Sequence, residues 1–119
     1  MKYVLITTIA AALLVGCVTR IQAPVVSIHK AAENGNIRAV KEYLAAGVNV
    51  NTVDNNKMTA LHWAAMKGKK KVVALLIVEG ANLNAKTSRN LTPLNLADNN
   101  FQNETAELLI ANGASEFVY

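Results

Sequence analysis

Apolar and polar residues follow two different rhythms along the chain. Tyr3 to Val15 form one uncharged, mostly apolar run behind Met1-Lys2, closed by Gly16, Cys17 and then Arg20. Further on, apolar residues come in short clusters at helical spacing. Leu61, Ala64 and Ala65 recur three and four residues apart, which predicts a short helix with Thr59 as its cap and Gly68 as its end. Val72, Val73, Leu75, Leu76 and Ile77 predict a second helix with a broad apolar face. Gly80 can take the left-handed conformation that ends a helix at low cost. The polar stretch ANLNAKTSRN then reads as an extended loop or hairpin.

The same pattern returns at a fixed offset. IHKAAENG begins at Ile28, LHWAAMKG at Leu61 and LNLADNNF at Leu94, each 33 residues after the last. Gly47, Gly80 and Gly113 keep that offset. So do Ala31, Ala64 and Ala97, the trio Leu44, Ile77 and Ile110, and the trio Asn49, Asn82 and Ser115. Such a period means stacked two-helix units. The small alanines allow close helix approach, and the wide apolar second helix can be covered only by a neighbour.

The segment DNNKMTALHWAAMKGKKKVVALLIVEGANLNA, Asp54 to Ala85, resembles an ankyrin repeat. The family's T-P-L-H-x-A-A box is matched by Thr59-Ala60-Leu61-His62-Trp63-Ala64-Ala65 and, in the third unit, by Thr92-Pro93-Leu94-Asn95-Leu96-Ala97-Asp98. The first unit has only Ile28-His29-Lys30-Ala31-Ala32. The family's glycine-asparagine tail is matched by Gly47-Val48-Asn49-Val50-Asn51 and Gly80-Ala81-Asn82-Leu83-Asn84. The resemblance spans roughly Val26 to Ser115 and implies an all-α solenoid of about three 33-residue helix-turn-helix units joined by short hairpin loops. The units are placed at about 26–53, 54–86 and 87–119.

The departures have physical readings. Unit one lacks the threonine start, which suits an N-terminal cap. Unit three puts Asp98 and Phe101 where small alanine and glycine stand elsewhere, and offers Asn103, Glu104 and Glu107 to solvent, as an end unit requires. Three units are near the minimum for stability. A folding free energy near the lower end of the usual range of about 5–15 kcal/mol is expected.

The resemblance implies a partner-binding concave face made of hairpin tips and the exposed side of each first helix. Carried over by position, the second unit offers Asn55, Asn56, Met58, Met66 and Lys67. The third offers Ser88, Arg89, Leu91, Asn99 and Asn100, and the first Glu33 and Asn34. Trp63 belongs either to this face or to the seam between units. Tryptophan and arginine are frequent binding hot spots, and methionine adapts to irregular surfaces.

The apolar leader changes where such a domain is expected. It is short for a membrane span, which needs about 20 apolar residues. A charged start and an apolar stretch describe an export signal instead. Leu14-Val15-Gly16-Cys17 resembles a bacterial lipobox, which implies cleavage before Cys17 and a thioether to diacylglycerol. The alternative is an uncleaved signal-anchor or buried helix with an inert thiol. On the lipobox reading, residues 1–16 are a signal peptide, 17–25 a lipid-attached tether and 26–119 the domain. Val18 stands where aspartate would favour the inner membrane, so an outer membrane facing the periplasm is expected. The chain has no second cysteine, and an acylated sulfur needs none.

Composition narrows the functions. The formal charge of +4 becomes +3 once Lys2 is removed, too small and dispersed to imply nucleic acid. His29 and His62 share one repeat position, where the resemblance implies a structural clamp between loops rather than a metal or catalytic group. Zinc would need three or four converging ligands, and no phosphate loop, nucleophile elbow or dinucleotide motif is present. No enzyme activity, cofactor or small-molecule substrate is expected. Lys67 and Lys69-Lys70-Lys71 form either a solvated turn or a basic patch for anionic headgroups or an acidic partner. Asn90-Leu91-Thr92 and Asn103-Glu104-Thr105 match the glycosylation pattern by chance if the chain is bacterial. The expected role is an envelope-anchored scaffold or adaptor for another protein; an inhibitor or immunity-type protein that occludes a toxin or hydrolase is the alternative, and an enzyme a remote one.

Overall fold

The computed structural model describes residues 27–115. Six helices follow one another: α1 (Ile28–Asn34), α2 (Ile37–Ala45), α3 (Ala60–Met66), α4 (Lys70–Val78), α5 (Pro93–Asn99) and α6 (Asn103–Ala111). No strand occurs among the described residues. The helices form three antiparallel pairs, one per repeat.

Each first helix starts on a hydroxyl. Ser27, Thr59 and Thr92 accept the backbone N–H three residues on, satisfying a donor that the helix cannot use itself. Pro93 fills the first helical position, where its missing N–H costs nothing. The second helices are less uniform. Asn36 caps α2, whereas α4 and α6 begin at Lys69 and Gln102 with no side-chain cap. Burial holds α4: Val72, Val73 and Leu76 are sealed from solvent. Fully burying one such side chain contributes about 1.5–3 kcal/mol.

The turn within each unit needs a left-handed residue. Gly68 supplies it at φ 69, and a Cβ there would also collide with the Gln102 side chain from the next unit. At the equivalent place in unit three stands Phe101, at φ 60. Gly80, at φ 88, ends α4 as its position predicts.

The pairs stack into two layers. The inner layer holds α1, α3 and α5, with α3 packed between the other two; the outer layer holds α2, α4 and α6 in the same order. Ala31, Ala32, Ala64, Ala65 and Ala97 are buried where the inner helices meet, so backbones approach closely. Asparagines staple the loops at their base. Asn51 Oδ1 accepts the Asn82 N–H at 2.8 Å, and Asn84 Oδ1 accepts the Ser115 N–H at 2.9 Å. Each bond spans the repeat period less two residues and satisfies a loop amide that no helix could.

Candidate partner-binding face

The hairpin tips are built by the first residue of each turn. Asp54 Oδ1 accepts the N–H groups of Asn56 (2.9 Å) and Met58 (3.0 Å), and the Asp54 N–H donates to the Met58 carbonyl. Thr87 repeats the design one unit on, its hydroxyl accepting from Arg89 and Leu91. Lys57 and Asn90 occupy the left-handed position of the two tips. Ser88 N–H donates to the Asn56 carbonyl at 3.0 Å, so the tips are tied together.

Trp63 is fixed against the first of these tips. Its indole N–H donates to Asp54 Oδ2 at 2.9 Å. Burial pushes the Asp54 carboxyl upward, but donation from the Met58 N–H, the indole and the Asn56 N–H outweighs it and leaves the acid below its ordinary value. Trp63 is half-buried: one part packs on the core and the rest faces the surface.

Between these two tips and α3 runs a groove of about 250 Å³. Of the residues assigned to the concave face, Asn56, Met58, Trp63, Met66, Ser88, Arg89 and Leu91 line it. Thr87 and Leu96 also line it, which sequence reasoning missed. Their signal was available: Thr87 recurs 33 residues after Asp54, and Leu96 33 after Trp63. Met58 needs correcting. It is only 9 % exposed and floors the groove rather than standing on the tip, because it follows the turn and points toward the core.

The other assigned residues lie outside the groove. Asn55, Asn99 and Asn34 are exposed elsewhere, and Asn100 turns back to donate to the Leu96 carbonyl. Glu33 lines a shallower depression with His29, Asp54 and the far side of Trp63. It pairs with Lys30 at 3.0 Å and lies 3.9 Å from Lys67. Lys67 and Glu33, assigned as separate contacts, therefore face each other across units one and two.

The histidines act as bolts. His62 is fully buried; its Nδ1 accepts the Thr59 N–H at 2.9 Å. Its Nε2 lies 2.9 Å from the Ala85 carbonyl and 3.1 Å from that of Leu91. Carbonyls only accept, so Nε2 carries the proton and the ring is neutral. Burial lowers its pKa against the pull of those two carbonyls. His29 Nε2 makes the equivalent bond to the Thr52 carbonyl at 2.8 Å. Among the described residues no group of three acids, histidines or cysteines is placed to hold a metal ion, and no helix is long and apolar enough to cross a membrane. Cys17 lies outside the described residues, as do the rest of the leader and the tether up to residue 26.

Antiparallel helix pairs stacked in register and bolted through their loops define an α-solenoid repeat protein. A family model described as ankyrin repeats, in three copies, matches residues 28–117, and the chain belongs to the ankyrin-repeat family. The crystal structure of the human ASB11 ankyrin repeat domain is similar, with a TM-score of 0.73 and 32 % identity. The match covers 82 % of this chain and 43 % of that one, so the chain spans less than half the length of the human domain it resembles. A search of curated proteins finds no match. Ankyrin repeats are in general protein-interaction modules.

Proposed function

We propose that the chain is a lipid-anchored envelope protein that holds a protein partner as a scaffold or adaptor. The observation that carries the binding half is the groove: two hydrogen-bonded tips and one helix converge six residues of the assigned face around a seventh, the tryptophan held by Asp54. A preorganised aromatic with an adaptable methionine floor and an arginine on the rim has the make-up of a binding hot spot. The anchoring half is supported by Leu14-Val15-Gly16-Cys17 at the end of the apolar run, and outer-membrane sorting by Val18. Two acyl chains give durable attachment where one short chain does not.

Crosslinking in intact envelopes followed by recovery of the chain tests both halves. A specific crosslinked protein is expected, weakened by Trp63→Ala and by Arg89→Glu, while Cys17→Ser shifts the chain out of the membrane fraction. Unchanged recovery with both groove variants overturns the face. A Cys17→Ser chain that remains wholly membrane-bound and normally processed overturns the anchor.

A further inference from the structure

The turns that join the two helices of each unit line one edge of the molecule, at the opposite helix ends from the hairpin loops. The chemistry of this edge is uneven. Its left-handed position is glycine at Gly35 and Gly68, but Phe101 in unit three. The Phe101 ring is 86 % exposed, so a strained backbone carries an aromatic that packs on almost nothing. A shallow depression lined by Gly68, Lys70, Phe101 and Gln102 joins this ring to the turn of unit two, where Lys69, Lys70 and Lys71 stand. Acids offset part of that charge. Lys70 pairs with Glu104 at 2.9 Å and Lys67 lies 3.9 Å from Glu33, while Asp98 and Glu107 are exposed on the helices flanking Phe101. Lys69 and Lys71 have no ion pair among the described residues.

We propose that this edge rests on an anionic lipid surface, with Phe101 entering the headgroup region and Lys69 and Lys71 meeting its phosphates. Lys69 and Lys71 stand one turn along the edge from Phe101, beside Gly35, and long flexible cations spaced from a protruding aromatic suit a fluid interface that moulds to them. A protein partner would instead be met by a pocket around the aromatic, and the edge offers only a shallow depression. Proximity to a bilayer comes from the anchor proposed above. The nine residues 18–26 between Cys17 and Ser27 reach at most about 30 Å when extended, whereas the seven residues of α1 span about 10 Å. The tether therefore permits either end of α1 to approach the membrane, and a tethered weak site acts at high effective concentration. With the turn edge down, the hairpin tips and the groove stay clear of lipid.

The test uses the full chain with Trp63→Phe and Phe101→Trp, which leaves one indole as reporter. It is reconstituted in vesicles of phosphatidylcholine, alone or mixed with phosphatidylglycerol, with brominated acyl chains as quencher. Quenching and a blue-shifted emission are expected in the anionic vesicles, and replacing Lys69 and Lys71 by glutamate weakens them, each lysine being worth about fivefold in association. An unquenched indole in both vesicles, or quenching indifferent to phosphatidylglycerol and to both lysines, overturns the proposal. So does a shift that appears only on adding envelope proteins, which would mark a protein partner for the edge. Hydrogen exchange on the unsubstituted chain is a second measurement: anionic vesicles slow the amides of residues 68–71 and 101–103, and equal rates in both vesicles count against the edge. Adding the Cys17→Ser chain to preformed vesicles separates failure of the anchor from failure of the edge.

Discussion

At the scale of single residues the molecule depends on a neutral, buried imidazole. His62 joins its own helix start to two carbonyls of the next loop, so it serves as helix cap and as bolt between units. Removing it takes the imidazole from the Ala85 carbonyl and the Thr59 N–H, leaves the Leu91 carbonyl with only the Thr87 N–H, and opens a cavity; His62→Ala is expected to cost about 3 kcal/mol in denaturant titrations. Its titration also sets a pH dependence. Burial depresses the folded pKa below the ordinary 6.5. The unfolded chain therefore takes up a proton, as pH falls through that value, that the folded chain refuses. The stability this group contributes is complete above about pH 6.5 and shrinks below it, until the folded pKa is passed. Unfolding midpoints measured at pH 7.5 and 5.0 should differ more for the parent chain than for His62→Gln. Equal differences would show that the ring is not the group responsible.

At the scale of elements, α4 shows how little local preference is needed when burial is complete. It lacks a side-chain cap and opens on two lysines, yet Val72, Val73 and Leu76 are shut between the neighbouring second helices. Leu76→Ala should lower stability by about 2–5 kcal/mol, whereas Val78→Ala, on a side chain 81 % exposed, should change it by less than about 0.5 kcal/mol. Chemical denaturation of the two variants checks the contrast. The helices were legible in the sequence because period and punctuation are local facts: Thr59 as cap, Gly68 and Gly80 as breaks, and the return of the cap at Thr92 and of the end glycine at Gly113 after 33 residues. The groove was legible only in part. Arg89, Ser88 and Trp63 follow from their places in the repeat, but the burial of Met58 and the Trp63–Asp54 bond depend on how a tip folds back onto the next helix. Asp54 carries no signal of its own in the sequence, because its donors Asn56, Met58 and Trp63 stand two, four and nine residues on and meet it only once the turn exists. The exposure of Phe101 beside the Lys69–Lys71 turn was hidden for the same reason, since stacking alone brings residues 30 apart onto one edge.

At the scale of the whole molecule, contacts of substance run between neighbouring units: α3 lies between α1 and α5, and α4 packs with α2 and α6. The central unit is covered on both sides, and each outer one on the side that faces it. Stability in such an array is a sum of weak units and favourable interfaces, so the centre should open last. Native-state hydrogen exchange should show the slowest amides in α3 and α4, with α5 and α6 opening at lower free energy. Two substitutions separate an interface effect from a local one. Leu61→Ala, at the centre, removes a side chain fully shut inside the stack and should accelerate exchange in all six helices. Leu109→Ala, equally buried but in the third unit, should accelerate α5 and α6 first and leave α1 near its original rate. If both variants instead raise exchange uniformly, the three units open as one cooperative body. The groove, which draws on units two and three, would then be as stable as the core itself rather than dependent on the less protected third unit.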